Sequence, residues 1–258
     1  MSVGPTQMMF SAFQEGKNLT TGQYYQLLQQ SDADFLPTAN GPALEQFVEV
    51  YAHLQKRTDQ ILSLHVSSFL SNTVETARAA RRRLLGRCTI EVVDSLSVSA
   101  GLGLLVHAAA AAAEAGRNLD ECVRLVRGMM PHIYLFFLAR KLPYLEREGR
   151  ISPAQALLGT MLNVMPLLQI EDGEIIPLEK VRSNQRGVEK LFDYVSEFAQ
   201  LEQALILQHA FDQEATLLRQ QLEAAYAGQK FPMLTCNPSL AVHLGPEAMG
   251  VVVFEKIG

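Results

Sequence analysis

Short apolar runs alternate with amphipathic helical patterns in the first half of the chain. Residues 61–66 and 89–93 are apolar runs of strand length, and small polar residues follow each one. The helical patterns cover roughly residues 21–30, a segment after Pro42, residues 73–85, an alanine-rich segment and residues 118–129. Strands that alternate with helices are typical of a parallel, doubly wound sheet.

The pattern changes near residue 130. Residues 133–138 form a strongly apolar run, and Ser152 with Pro153 predicts the start of a helix. An Asp-Gly dipeptide between two apolar runs predicts an antiparallel hairpin over residues 167–176. The remaining predicted elements are a strand at 201–207, a helix at 212–226, and strands at 240–243 and 251–254.

These patterns predict an α/β protein with two domains. A doubly wound, parallel α/β/α domain covers residues 1–129, and a two-layer α/β domain with a mixed sheet covers residues 130–258. The length of 258 residues suits this division, and the composition of 48% hydrophobic and 19% charged residues is that of a globular protein.

Net charge and cysteine content restrict the classes of partner and the cellular compartment that we expect for this protein. The net charge of -5 argues against general nucleic-acid binding. The run Arg81-Arg82-Arg83 is a local exception, and either a solvated helix end or a docking site explains it. Three cysteines without paired or metal-type spacing are typical of a reducing compartment. We therefore predict a cytoplasmic protein with no metal site and no nucleic-acid partner.

One segment approaches the length of a membrane span. No Asp, Glu, Lys or Arg occurs from Ser95 to Ala113. Alanine dominates this segment and gains little free energy from leaving water. We therefore predict a buried helix packed on a sheet and no stable membrane insertion. Residues 1–5 lack the basic and apolar regions of a secretory signal.

Polar side chains follow both predicted strands of the first half. Ser67 and Ser68 follow the first strand, and Asp94 and Ser95 follow the second. Parallel strands end at the same edge of a sheet, where open α/β sheets bind ligands, so we expect these residues to lie close together. Asp94 and Ser95 could equally cap the next helix.

The segment from Ser67 to Thr73 leads directly into a predicted helix. A helix N-terminus leaves amide donors unpaired and carries a partial positive charge, which suits a carboxylate or a phosphate. A capping box formed by Asn72 and Glu75 explains the same residues without a ligand. The segment therefore predicts either a capped helix or an anion site.

The motifs of several enzyme classes are missing. The sequence contains no G-x-S-x-G nucleophile elbow, no phosphate-binding P-loop and no G-x-G-x-x-G after a strand. A Ser–His–Asp set could be assembled from Ser68, His243 and Asp94, but the sequence gives no geometry for it. We therefore predict a binding protein that is not an enzyme and needs no cofactor.

Several short motifs occur in a fixed order over roughly residues 36–254. They are Ser67-Ser68-Phe69-Leu70-Ser71-Asn72-Thr73, Val93-Asp94-Ser95 with Ser99 and Gly101-Leu102-Gly103, Tyr144-Leu145 with Gly149-Arg150-Ile151-Ser152, Leu162-Asn163-Val164-Met165-Pro166, Asp172-Gly173 with Val181-Arg182, and His243-Leu244-Gly245-Pro246-Glu247. Each motif alone is weak, but their order and spacing resemble the DegV family of fatty-acid-binding proteins.

The resemblance implies a carrier that holds one long-chain fatty acid, with its tail buried at the domain interface. The carboxylate contacts of the family fall on Thr38 and Ser68, and His243 matches the family's H-x-G-P-G motif. Candidate residues for the apolar wall around the tail are Phe136, Leu138, Leu157, Met161 and Met165. In many bacteria such a subunit presents the acid to a fatty acid kinase that makes acyl-phosphate, so a kinase subunit is a candidate partner.

The chain departs from the family pattern in several places. The family's first strand has no counterpart, and residues 1–10 resemble its second strand. Thr38 matches the family's Thr only with one inserted residue; otherwise Ala39 takes that position. Met165 replaces a usual Lys and Glu247 a usual Gly, near the expected ligand and partner surfaces. Two alternatives to a carrier stay open: a phosphotransfer subunit related to dihydroxyacetone kinases, and a scaffold that kept the fold and lost its ligand.

Overall fold

The computed structural model of the protein describes residues 7–8, 13–14, 20–30, 39–84, 86, 88–147, 149 and 161–256. The chain forms two compact units. The first contains Met1–Gln23, Pro37–Pro131 and Asp172–Glu174, and the second contains Tyr24–Leu36, His132–Glu171 and Ile175–Gly258. The predicted helix after Ser152 lies outside the described residues.

The first half of the chain alternates strands and helices, as predicted. Its elements are β1 (Gln7–Met8), β2 (Phe13–Gln14), α1 (Thr21–Gln30), β3 (Ala39–Asn40), α2 (Leu44–Leu54), β4 (Gln60–His65), α3 (Thr73–Arg83), β5 (Thr89–Asp94), α4 (Ser99–Glu114) and α5 (Leu119–Met129). Strands β4 and β5 pair in parallel, with His65 opposite Asp94. Strands β1, β2 and β3 form a separate antiparallel sheet that the sequence pattern does not predict.

One apolar cluster joins the parallel strands to helices α2 and α3. Its buried members are Phe47, Tyr51, Ile61, Val74, Ala77, Ala80, Ile90 and Val92. Strand β4 buries every second residue, because successive side chains of a strand point to opposite faces. This alternation places two polar side chains, Ser63 and His65, in the interior.

Helix α4, the predicted buried helix, buries one face and exposes the other. Leu105, Ala109 and Ala112 are buried, whereas Val106 and most of the remaining alanines are exposed. Alanine tolerates exposure because its small side chain leaves little apolar surface in water. Within the described ranges, no helix is long and apolar enough to cross a membrane.

The second half of the chain forms a mixed six-stranded sheet, as predicted. Its elements are β6 (Ile133–Ala139), α6 (Leu142–Arg147), β7 (Met165–Glu171), β8 (Glu174–Val181), α7 (Asn184–Ser196), β9 (Leu201–His209), α8 (Asp212–Ala225), β10 (Met233–Thr235), α9 (Pro238–Leu244) and β11 (Ala248–Glu255). The strand order is β10-β9-β11-β6-β7-β8. Strand β10 runs parallel to β9, while β11 pairs antiparallel with both β9 and β6.

Helix α7 is absent from the sequence predictions. The Ser183 side chain caps it by accepting a hydrogen bond from the amide of Arg186 at 3.1 Å. Val188, Leu191 and Val195 lie on its buried face, at the spacing of successive helical turns. The N-cap and this periodicity are both visible in the sequence, so the helix was predictable.

Candidate functional site

The parallel pairing of β4 and β5 brings together the polar segments that follow them, as the sequence predicts. The backbone amide of Ser95 donates to the carbonyl oxygen of His65 at 3.1 Å. The amide of Ser67 donates to the carbonyl oxygen of Ser97 at 2.9 Å. The two segments are therefore held side by side in the first unit.

Ser67 is the structural centre of the turn that follows β4. Its side chain is fully buried, and its hydroxyl donates to the carbonyl oxygen of Gly173 at 2.7 Å. The same Oγ accepts from the amide of Phe69 at 3.2 Å. Its carbonyl oxygen accepts from the amides of Leu70 and Ser71 at 3.0 and 3.1 Å. Ser67 therefore shapes the turn and leaves no polar atom for a ligand.

The backbone amides of this turn are used inside the protein. The amide of Ser68 lies 3.3 Å from both carboxylate oxygens of Asp94. The amide of Thr73 donates to Oγ of Ser71 at 3.3 Å, and the amides of residues 67 and 69–71 have the acceptors described above. These amides are therefore already bonded within the protein and are not free for the predicted anion site.

The side chain of Ser68 differs from that of Ser67 in being exposed. Its hydroxyl makes no hydrogen bond to any described residue. The neighbouring carboxylate of Asp94 also accepts from the amide of Leu96 at 3.0 Å, so Asp94 joins the turns after β4 and β5. It does not cap helix α4, whose N-cap is Val98. The capping prediction for Asp94 is therefore wrong.

The start of α3 is organised by hydroxyl groups. Asn72 is the N-cap residue, but its side chain makes no cap hydrogen bond, so the predicted capping box with Glu75 is not formed. Instead, Oγ of Ser71 and Oγ1 of Thr73 are hydrogen-bonded at 2.6 Å. The backbone of Gly41 lies so close that a Cβ there would be 2.5 Å from Oγ1 of Thr73. The loop before α2 therefore lies against the start of α3.

A buried hydrogen-bond chain lies behind the turn. The hydroxyl of Tyr51 is 2.7 Å from Oγ of Ser63, which is 2.7 Å from Nε2 of His65. Burial lowers the pKa of His65 to about 4, although the nearby carboxylate of Asp94 acts to raise it. His65 is therefore neutral near pH 7 and adds no positive charge to the turn.

His243 lies on a helix, and the prediction of a strand over residues 240–243 is wrong. Asn237 caps this helix by accepting from the amide of Leu240, and Pro238 occupies its first turn. Both are signals that the sequence contains. His243 is half-buried on the last turn of α9 in the second unit, whereas Ser68 belongs to the first.

The residues after His243 are held by charged and polar contacts. Glu247 forms ion pairs with Arg140 at 2.5 Å and with Lys141 at 3.0 Å. The amide of Arg140 donates to the carbonyl oxygen of Glu247 at 3.0 Å, and Nδ1 of His209 lies 2.6 Å from the carbonyl oxygen of Pro246. Glu247 therefore ties the start of β11 to the end of β6.

The remaining predicted site residues have different outcomes. Thr38 and the wall candidate Leu157 lie outside the described residues. Phe136, Leu138 and Met165 belong to the buried core of the second unit, whereas Met161 is exposed over 74% of its surface and does not fit a wall.

The candidate catalytic set of Ser68, His243 and Asp94 gains no support from the hydrogen bonds. The carboxylate of Asp94 accepts from two backbone amides, so it holds the turns rather than orienting an imidazole. Among the described residues, no group of three or more His, Cys, Asp or Glu side chains could hold a metal ion.

The arrangement of strands places the chain among two-unit α/β proteins with a parallel pair in one unit and a mixed sheet in the other. A family model described as uncharacterised protein, DegV family, matches residues 11–256. A DegV domain-containing protein of Streptomyces coelicolor is 34% identical over 249 residues, which are 95% of this chain and 87% of the relative. One from Caldanaerobacter subterraneus is 31% identical over 252 residues, with coverages of 95% and 87%. The chain belongs to the DegV family.

Solved structures of DegV proteins share the fold. A fatty acid binding DegV family protein from Streptococcus agalactiae has a TM-score of 0.87 at 25% identity, covering 98% of this chain and 90% of its own. A DegV family protein from Thermus thermophilus, described by its fatty acid binding, has a TM-score of 0.82 at 27% identity, with coverages of 98% and 91%. DegV from Bacillus subtilis, described as a fatty acid binding protein, has a TM-score of 0.83 at 25% identity, with coverages of 97% and 90%. The predicted DegV-like α/β fold is confirmed.

Proposed function

We propose that this protein is a carrier that binds one long-chain fatty acid, with the carboxyl group of the acid at Ser68. The observation that carries the proposal is the likeness, over nearly the whole chain, to three DegV structures that are described by fatty acid binding. The exposed hydroxyl of Ser68, which makes no hydrogen bond to a described residue, supports the position of the head group. Thr38 and His243 are further candidates for contacts with the head group, because they match family motifs.

The apolar tail of the fatty acid contributes more binding free energy than its polar head group. Each buried methylene gains about 0.8 kcal/mol, so a palmitoyl tail gains on the order of 10 kcal/mol before the costs of binding. A hydrogen bond from a serine hydroxyl contributes about 0.5–1.5 kcal/mol. The apolar interior therefore sets the affinity, and the polar residues set the orientation of the acid.

Native mass spectrometry of protein purified from a bacterial host tests the carrier. We expect the intact protein to carry the added mass of a fatty acid, and organic extraction to remove that mass. Palmitate or oleate should then bind again to the extracted protein. A homogeneous ligand-free mass together with no binding of added palmitate or oleate would contradict the carrier and favour a scaffold that lost its ligand.

We also propose that the carrier presents its acid to a separate fatty acid kinase and has no catalytic activity of its own. The missing nucleotide-binding motifs and the role of such subunits in many bacteria support this. With ATP and palmitate, the purified protein alone should not consume ATP, and acyl-phosphate should form only after a fatty acid kinase is added. ATP turnover that persists through repeated purification would contradict the proposal.

A cytoplasmic location fits the state of the cysteines. Cys88, Cys122 and Cys236 are all free thiols, and Cys122 and Cys236 are buried. Unpaired buried cysteines are typical of a reducing compartment. Cell fractionation followed by detection of the protein tests this location.

A further inference from the structure

The turn after β4 presents a hydroxyl group, that of Ser68, beside a carboxylate, that of Asp94. The amides of residues 67–71 and 73 donate to acceptors within the protein. The amide of Ser68, which a carboxylate would contact together with the hydroxyl, points instead at the carboxylate of Asp94 at 3.3 Å. An anion at Ser68 would therefore lie next to the negative charge of Asp94, and the amide of Ser68 itself would not be free to stabilise it.

Within the described residues, the cation nearest to this turn along α3 is already paired. The charged or titratable residues that flank the turn or its contacts are His65 on β4, Glu75 and Arg78 on α3, and Asp172 and Glu174 beside Gly173. Arg78 is paired with Glu75 at 2.6 Å. Helix α4 begins without an acidic residue, and His65 is neutral near pH 7.

We propose that the head-group site at Ser68 takes the fatty acid in its neutral, protonated form. The hydroxyl of Ser68 donates to the carbonyl oxygen of the acid, and the acid's own hydroxyl donates to the carboxylate of Asp94. A carboxylate has about four lone-pair sites, so Asp94 can accept this bond in addition to those from Ser68 and Leu96. The inference rests on the proposed function, because it specifies the ligand of the same site.

This arrangement makes the site selective for head groups that carry both a donor and an acceptor. A primary amide has both and is uncharged, so it should bind like the acid. A sulfonate is a permanent anion with acceptors alone, so Asp94 should repel it. The acid itself should bind more weakly as the pH rises, since two carboxylates that share a site hold one proton between them.

Competition among three ligands with the same tail tests this selectivity. Lauric acid, lauramide and dodecanesulfonate would be titrated into the extracted protein. We expect lauramide to bind at least as tightly as lauric acid near pH 7, and dodecanesulfonate to bind about tenfold or more weakly. Equal binding of dodecanesulfonate and lauric acid, with weaker binding of lauramide, would overturn the inference. Failure of all three ligands and of palmitate to bind would instead contradict the proposed function, and the inference with it.

The ionisation of the bound acid can be measured directly. The NMR shift of an isotopically labelled carboxyl carbon in bound palmitate reports its titration. We expect that carbon to titrate at least about three pH units above the value of an ordinary carboxyl group, near 4.3, so that the bound acid is still protonated near pH 7. The dissociation constant should rise about tenfold per pH unit until the bound acid itself ionises. Titration of the bound acid at its ordinary pKa would overturn the inference.

The variant Asp94→Asn removes the negative charge while it keeps one acceptor oxygen for the amides. We expect the bound acid to titrate at least about one pH unit lower and dodecanesulfonate to gain about tenfold in affinity. Glu91→Gln is the matched control, because it removes one negative charge from the same strand, at an ion pair with Arg81. If both variants leave the titration unchanged, Asp94 does not hold the proton. The ligand series and the titration of the wild-type protein decide the inference even if Asp94→Asn fails to fold.

Discussion

The hydroxyl of Ser67 donates a hydrogen bond to the carbonyl oxygen of Gly173 at 2.7 Å. Gly173 has a φ of +89°, and a Cβ at this position would overlap Oγ of Ser67. Both residues belong to the first unit, so this contact fixes the turn after β4 within one folded body. Residue 173 requires glycine for two separate reasons, the left-handed backbone and the close approach of Ser67.

Comparison of two glycine variants separates these reasons. Gly228 has a φ of +85°, but a Cβ there would meet nothing within 4 Å. We expect Gly228→Ala to lower the free energy of unfolding by about 1 kcal/mol, the strain of a left-handed alanine. Gly173→Ala should cost about 1–3 kcal/mol more, because it also breaks a buried hydrogen bond. Urea unfolding measures both, and equal losses would contradict the importance of the Ser67 contact.

Substitutions of two adjacent serines should have different effects. Ser67→Ala should lower stability, and Ser68→Ala should weaken ligand binding. Ser67→Ala leaves the carbonyl oxygen of Gly173 and the amide of Phe69 without their partner, so we expect a loss of about 1–3 kcal/mol in stability. Ser68→Ala should change stability by less than about 0.5 kcal/mol, because its side chain is exposed. It should weaken fatty-acid binding by about 1 kcal/mol, roughly fivefold in the dissociation constant. Thermal melts and ligand titrations of both variants check this, and a Ser68→Ala protein that melts early but binds normally would contradict the assigned roles.

The meeting of the two strand ends was predictable from the sequence, because parallel strands must end at the same edge of a sheet. The internal use of the amides was not. It depends on Oγ of Ser67 reaching Phe69 and on Asp94 reaching Ser68, which are matters of side-chain conformation. A serine-rich helix start is compatible with amides that are free to bind a ligand. It is equally compatible with amides that are already hydrogen-bonded within the protein.

Most helices and strands whose apolar residues recur at a clear helical or strand spacing were predicted. The short helix α9 was not. Helix α9 has seven residues and an apolar sequence, which period alone does not distinguish from a strand. Its cap, Asn237, and its first-turn Pro238 were the signals that could have placed His243 on a helix. Helix α7 is long enough to show a clear period, and its cap and its apolar face are both visible in the sequence.

Glu247 should stabilise the second unit through its two cationic partners. Burial alone would raise the pKa of Glu247, but hydrogen bonds from Lys141 and Arg140 lower it below its ordinary value. We expect Glu247→Gln to lower the free energy of unfolding at pH 7 by about 1 kcal/mol, as for a partly exposed pair. The folded pKa lies below the unfolded one, so this stability is present above the unfolded pKa and is lost as the pH falls through the folded pKa. Unfolding at neutral and acidic pH tests this.

The control for Glu247 is Glu189→Gln on helix α7. Glu189 also pairs with an arginine, Arg186, at 2.8 Å, but it lies on the exposed helix surface. We expect this variant to be nearly as stable as the wild-type protein, since exposed pairs contribute little. A larger loss for Glu189→Gln than for Glu247→Gln would contradict the role of Glu247 in joining β6 to β11.

The buried chain of Tyr51, Ser63 and His65 should make the first unit sensitive to acid. Burial lowers the pKa of His65 to about 4, while an unfolded histidine has a pKa near about 6.5. Between these values the unfolded state binds more protons than the folded state, so stability rises with pH. The contribution is fully present above about pH 6.5, and it falls by about 3 kcal/mol as the pH is lowered to about 4.

An NMR titration of the histidine rings tests this sensitivity directly, since the ring of His65 should titrate near pH 4 while the protein remains folded. In urea unfolding, His65→Gln should reduce the loss of stability between about pH 7 and pH 5 by about 2 kcal/mol, because glutamine can still bond to Ser63 but does not take up a proton. His53→Gln is the matched control, because His53 is exposed on α2 and its replacement should leave this pH dependence unchanged. A His65 ring that titrates near its ordinary value, or a His65→Gln protein with the pH dependence of the wild type, would show that the imidazole can take up a proton without opening the core. The hydrogen bond to Ser63 would then persist with a charged ring.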